Sequence, residues 1–410
     1  MVFNDMHLDT IATAGVKRNR TTTILLVILC LSFQVLGISG IALFLPAIRL
    51  DFGLSSTQGG SLSAATFMVY ALMQIPAGYL TDRYGPKRLF FIGALCSSML
   101  SFTFGLAAVY WQALSIQTII GFFRALLFTP GVALLTGWFP ANRRSTAMGL
   151  YLIGTFLGDI VLGIVGPIIV AQYSWRILFL SFASLGIITA LVFLRFGKET
   201  SSPVEARTVT IHEVLQLFRY RIMWVCGGIQ YIRLAVMLGI AFWLPSFLID
   251  DRGLSLQLTG LLIAVRFALI APSNLLGGYI SDRLNNPTLV IRFSLIALAI
   301  TTGLFAVVNS ITVLIILIGI NAIFVQMYFG PLFNVPAEIL GTNTAGVSRG
   351  FSNLFANIGS FSFVYLLGAL RDSSGSFESG FYTVVGACVI GLVFTIPLER
   401  MRRRAIEPGQ

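Results

Sequence analysis

The sequence predicts an all-α membrane protein of twelve transmembrane helices, arranged as two six-helix bundles that repeat in the same direction. Three observations carry this. Hydrophobic residues make up 56% of the 410 and charged residues only 10%, against about 25% charged in soluble domains, so the bilayer is the main solvent. Apolar stretches long enough to cross a hydrocarbon core of about 30 Å recur between short polar breaks. Lipid offers the backbone no hydrogen-bond partner, so each must be a helix. Finally, GYLTDR at 78–83 returns as GYISDR at 278–283.

The spans are expected near 22–47, 58–81, 89–110, 112–138, 146–170 and 175–195, then 222–248, 257–281, 288–309, 311–333, 345–370 and 379–399. They divide the chain into a tail (1–21), a first bundle (22–195), a linker (196–221), a second bundle (222–399) and a closing tail (400–410). The linker holds the amphipathic stretch Val209 to Phe218, expected as a short helix on the membrane surface. The repeat extends beyond the hexamer: Asp51, Gly53, Leu54, Ser55 and Gly60 return as Asp251, Gly253, Leu254, Ser255 and Gly260. Parallel repeats of this kind characterise a large class of secondary transporters.

Charge sets the expected orientation. Residues 1–20 contain Asp5, Asp9, Lys17, Arg18 and Arg20 before any apolar run, unlike a signal peptide, so the first span is expected to remain in the mature protein. Of the 27 Lys and Arg, 20 fall in the set of tails, loops and helix ends on the side of the amino terminus, 4 on the other side (Arg49, Arg176, Arg252, Arg371) and 3 deep inside helices. The positive-inside rule then places both termini in the cytoplasm of an inner-membrane protein. Topology and anionic lipid account for the net charge of +11 without a nucleic-acid partner.

Cys30, Cys96, Cys226 and Cys388 stand singly in four spans, and His7 and His212 lie outside the spans. That pattern offers no disulfide framework, no buried histidine relay and no metal or cofactor site. Without clustered nucleophiles or bases in the spans, an enzyme is not expected.

GYLTDRYGPKR at 78–88 resembles the loop signature between helices 2 and 3 of the major facilitator superfamily, and GYISDRLNNP at 278–287 resembles its second copy. The resemblance covers essentially the whole chain. Physically, Gly78 permits close helix approach, Gly85 a tight turn, and Asp82 puts a negative charge at the cytoplasmic face. The resemblance implies that Asp82 latches onto the amino-terminal end of span 11, near Gly346 to Ser348, assisted by Arg83, Lys87 and Arg88. The second copy, Gly278, Asp282 and Arg283, is followed by Asn285, Asn286 and Pro287, which implies a weaker latch. The resemblance also implies that spans 1, 4, 7 and 10 line a central cavity flanked by 2, 5, 8 and 11. Arg124 stands where related anion:proton symporters often have an acid, and the antiporter signature is incomplete at Ile168 to Ala171.

Four charges are left in the middle of the membrane, away from the helix ends: Arg124 in span 4, Asp159 in span 5, Arg233 in span 7 and Arg266 in span 8. Each costs about 2.5 to 3.5 kcal/mol on insertion scales, so such groups face a cavity or a partner. By helical rise, Arg124 and Asp159 both sit about 21 Å above the cytoplasmic ends of their helices, within pairing distance. Arg233 lies about 18 Å below the outer surface and Arg266 about 9 Å below it. One reading has Arg233 and Arg266 coordinating an anionic group, with Arg124 and Asp159 a switchable pair in which Asp159 carries a coupled proton. The other makes Arg124 and Asp159 a structural pair and sends Arg266 to the outer interface. Gln34, Tyr70, Gln74, Gln230, Tyr231, Asn321, Gln326, Asn353 and Asn357 are the polar groups expected to complete the site, and the repeat sets Gln34 opposite Arg233. Pro130–Gly131 and Gly330–Pro331 are expected to bend spans 4 and 10.

The function expected is secondary transport of a small organic anion, a carboxylate, by alternating access, coupled to protons or to anion exchange, by a functional monomer whose other partners are membrane lipids. An efflux carrier for amphipathic compounds, consistent with 34 Phe, and a non-transporting receptor or scaffold are the alternatives.

Overall fold

The computed structural model describes residues 2–140, 144–200, 219–340 and 345–406. The linker's amphipathic stretch lies outside them. Helices account for nearly all described residues, with no strand among them. Eleven are long and apolar enough to cross a membrane. The twelfth span is the helix Ser56–Tyr84, whose hydropathy is lowered by Gln58, Ser61, Ser63, Thr66, Gln74 and Asp82. The first helix begins at Val2, well before the expected start.

The repeated residues have local physical roles. Gly53 and Gly253 adopt φ of 63° and 66°, the left-handed region that stops a helix without Cβ strain. Ser55 and Ser255 then cap the next helices: the Ser55 hydroxyl accepts from Gln58 N while Gln58 Oε1 accepts from Ser55 N, and the Ser255 hydroxyl accepts from Leu258 N. Stop, turn and restart are thus encoded twice. Span 1 is interrupted by a 3₁₀ turn, Gln34–Gly37, before resuming as Ser39–Phe52. Span 10 breaks at Tyr328 into Ile311–Met327 and Phe329–Leu340, close to the expected bend. Span 4 runs unbroken over Tyr110–Thr136 despite Pro130 and Gly131.

The two halves meet along span 2 against span 11 and span 5 against span 8. Glycine makes both approaches possible. A Cβ on Gly60 would lie 2.8 Å from the Val364 carbonyl, and one on Gly163 would lie 2.7 Å from the Gly260 carbonyl. At the face opposite the termini, Asp372 at the end of span 11 reaches the start of span 2. Its Oδ1 accepts from Ser56 N at 2.7 Å, and its Oδ2 accepts from Thr57 N at 2.7 Å and the Thr57 hydroxyl at 2.6 Å. Arg49 adds a contact to Asp250 at 3.8 Å. The hydrogen bonds and ion pairs joining the halves among the described residues lie at this face, so the protein is closed there.

The four arginines of that face are all engaged. Arg176 pairs with Asp51 at 2.9 Å and donates to the carbonyls of Gly105 and Ala107. Arg371 pairs with Asp251 at 2.7 Å and donates to the Gly375 carbonyl, and Arg252 donates to the Phe305 carbonyl.

Candidate functional site

Arg233 is the centre of a built polar cluster in the second half. Its side chain is only 3% exposed, and its position is fixed on three sides. Nε donates to Gln230 Oε1 at 2.7 Å, Nη1 donates to Gln326 Oε1 at 3.2 Å, and the guanidinium carbon lies 4.8 Å from the Phe329 ring centroid. Phe329 opens the second segment of span 10, so the break at Tyr328 sets the ring under the arginine. Among the described residues Nη2 carries no hydrogen bond, leaving one donating edge free. A guanidinium so oriented can hold a carboxylate or sulfonate oxygen without losing its own support. Gln230 lies beside it, its Nε2 also unpartnered.

Arg124 is the counterpart in the first half. It is half-buried, and its Nη1 donates to the Gln34 carbonyl at 3.0 Å. The 3₁₀ turn frees that carbonyl from regular helical bonding. Tyr70, Tyr151 and Asp159 act on Arg124 electrostatically, and Tyr70 is a hydrogen-bonding neighbour of Gln74. No direct Arg124–Asp159 ion pair forms in this closed state.

Asp159 instead lies within electrostatic reach of two cations. Ser39, Arg124 and Arg266 all act on its carboxylate, and Arg266 comes from the opposite half of the molecule. Arg266 is 1% exposed, and none of its three nitrogens has a hydrogen-bond partner; Asp159 Oδ1 has none either. It does not reach the outer interface. Its guanidinium lies 5.9 Å from the Phe267 ring centroid, and a buried charge without hydrogen bonds costs several kcal/mol.

The remaining expected site residues divide. Gln34 turns away from the centre, its amide donating to the Ala94 carbonyl and the Ser98 hydroxyl of span 3. It is a packing contact, not a counterpart of Arg233. Asn321 likewise points to span 9, donating to Thr301 and Thr302. Asn357 donates to the Asn353 carbonyl within span 11, and Tyr231 packs edge-on against Phe363. The geometry therefore brings together Arg233, Gln230 and Gln326 in one half, and Arg124, Tyr70, Gln74 and Asp159 in the other, with Arg266 at the seam. Tyr151, Ser39 and Phe329 belong to this arrangement and were not singled out by sequence; nor was Asp372, which joins the halves at the face opposite the termini. An open groove of about 550 Å³ lined by Thr103, Trp111 and Ile116 lies at the lipid-facing edge, away from the charges.

At the face of the termini the two signature copies are exposed. Asp82, Arg83 and Arg88 face solvent, as do Asp282 and Arg283, and Arg83 donates to the Tyr79 hydroxyl at 3.3 Å. Gly85 takes φ of 84°, the tight turn its residue type suggests. Gly78 and Gly278 have nothing within 4 Å of a would-be Cβ, so neither mediates a close approach in this state. The side chains near Gly346 to Ser348 lie outside the described residues.

The sequence pattern of the Major Facilitator Superfamily matches residues 27–364 and 259–410. The hexuronate transporter of Bacillus subtilis (strain 168) is 24% identical, over 94% of this chain and 96% of its own. A probable sulfoacetate transporter of Cupriavidus necator is 24% identical, over 93% and 95%. Among solved structures, a bacterial homolog to the human lysosomal transporter Spinster, in an inward-facing and occupied conformation, superposes with a TM-score of 0.78 at 17% identity, covering 94% of this chain and 97% of that one.

Proposed function

Since the chain belongs to the Major Facilitator Superfamily, a family of membrane transporters rather than enzymes, we propose that it carries small organic acids bearing a carboxylate or sulfonate across the inner membrane. The observation that carries this reading is Arg233: a buried guanidinium braced by Gln230, Gln326 and Phe329, with one donating edge left free. Arg124, held on the Gln34 carbonyl, is a second cation from the other half. An anion held between the halves is the cargo such an arrangement recognises, and the names of the hexuronate and sulfoacetate relatives agree with it.

The positive charge of the loops supports a cytoplasmic face of the termini, which makes the closed face the outer one. Opening then alternates between faces as the halves rock about their contact. Inward movement of a monoanion against an inside-negative potential of 100 mV costs about 2.3 kcal/mol. Proton coupling through Asp159, or exchange for another anion, removes that cost.

A thermal-shift screen of the purified protein tests the reading. Glucuronate or sulfoacetate at about 100 times its dissociation constant should add roughly 2.7 kcal/mol of stability. Stabilisation by neutral lipophiles alone, with no response to either acid, would transfer the protein to the efflux reading.

A further inference from the structure

Spans 5 and 8 touch across the boundary between the halves in two layers. Toward the outer face, Gly163 lies against the Gly260 carbonyl and Ala264. Toward the centre, the rings of Phe156 and Phe267 pack at 6.3 Å between centroids. Asp159 is about 6 Å along its helix from Gly163, and Arg266 about 9 Å along its helix from Gly260. The two charges therefore share the layer enclosed between these contacts, one from each half. They are 5% and 1% exposed, and Asp159 Oδ1 and every Arg266 nitrogen are without a hydrogen bond.

The groups facing Asp159 are few. Span 1 supplies Ser39, span 4 supplies Arg124 and span 8 supplies Arg266; span 6 has no charged residue between Arg176 and Arg195. Arg124 is half-buried and anchored on the Gln34 carbonyl. Arg266 has no such anchor. Its charge must be balanced inside the seam whenever the seam is shut.

We propose that Arg266 is shared between Asp159 and the anionic group of the cargo, and that this sharing couples one proton to one anion. The inference rests on the anion-carrier reading above. The seam closes with Asp159 ionised beside Arg266, which returns the empty carrier. It also closes with Asp159 protonated and the cargo's anionic group beside Arg266, which moves a proton and an anion together. Protonated Asp159 without cargo strands the arginine charge, and cargo beside ionised Asp159 adds an uncompensated negative charge. Both closures are opposed, so neither proton nor anion leaks alone. Asp159 takes its proton from the water on the open side and returns it to the water on the other, and no covalent bond to the cargo is made.

The test measures the distance between spin labels at Q172C and Q257C, exposed positions at the outer ends of spans 5 and 8; the four native cysteines are buried or half-buried. In cargo-free wild type, acidification is expected to shift the distribution from short to long distances by up to about tenfold per pH unit, the limit for one linked proton. Glucuronate reverses the shift. Asp159→Asn opens the outer face at neutral and acid pH alike and is closed by glucuronate. Arg266→Gln loses the acid-induced opening, and Arg266→Lys, which keeps the charge, retains it. A wild type whose distances ignore pH, or Asp159→Asn that still responds like wild type, overturns the coupling while leaving the anion reading intact. A normal pH response that neither glucuronate nor sulfoacetate reverses overturns the anion reading, and with it the cargo half of the proposal.

Discussion

Replacing Asp372 with Asn perturbs, at one atom, the contact between the halves at the face opposite the termini. The carboxylate accepts three hydrogen bonds of 2.6 to 2.7 Å from the first turn of span 2, where unpaired amides and the helix dipole favour a negative charge. Asn keeps one accepting oxygen, presents an NH₂ to donors that need an acceptor, and removes the charge. Hydrogen bonds to a charged group contribute about 1.5 to 3 kcal/mol each when protected, and the dipole term about 0.3 to 1 kcal/mol. Asp372 is exposed and Thr57 half-buried, so solvent screening reduces the sum, and a net loss of about 2 kcal/mol is expected. These bonds join the two halves at the face opposite the termini, so they hold only while that face is shut. The loss therefore appears as a shift of about 30-fold in the closed-to-open ratio, since 1.4 kcal/mol is about tenfold. Double electron–electron resonance between labels at Q172C and Q257C reads that ratio directly. A ratio that stays within about twofold of wild type would show that the span 2–span 11 contact does not hold this state and would refute the reasoning.

Other residues give separate expectations. Gly260→Val sets side-chain atoms against the Gly163 carbonyl and the Pro167 ring, so outer closure and transport should both be lost, whereas Gly278→Ala, with open space at its Cβ position, should transport normally in proteoliposomes. Gln34→Leu removes two buried hydrogen bonds to span 3 and should lower stability by about 1 to 2 kcal/mol in thermal unfolding. Its KM for glucuronate should stay within about twofold of wild type, because the amide does not face the cargo. A tenfold rise in KM would put Gln34 back in the site.

The sequence revealed the architecture because the repeat carries its own punctuation: Gly53 and Gly253 stop helices and Ser55 and Ser255 restart them. It also located the charges that matter, since an arginine inside an apolar span has few permitted surroundings. Direction was harder to read. Spans apolar on nearly every side give no periodic signal for which face a polar residue occupies. Gln34 and Asn321 thus looked like cavity residues although they bind spans 3 and 9. Arg124 and Asp159 matched in depth, yet depth alone does not show that Arg266 approaches the same acid from the other half. Asp372 was hidden among the charges of a loop. One signal was available: Asp82 and Asp372 each lie two residues before the end of their helices, in a pair that packs side by side. An acid at either end suits a contact that is made alternately.

The central claim is that this carrier recognises an organic anion through Arg233. Counterflow of labelled glucuronate and sulfoacetate in proteoliposomes, comparing wild type with Arg233→Gln and Arg233→Lys, tests it most directly. Wild type should exchange at least one of them. Arg233→Gln should lose about 30- to 100-fold in kcat/KM, the equivalent of a charge-assisted hydrogen bond of about 2 to 3 kcal/mol, with Arg233→Lys between the two. Exchange of either acid at the wild-type rate by Arg233→Gln would contradict the claim.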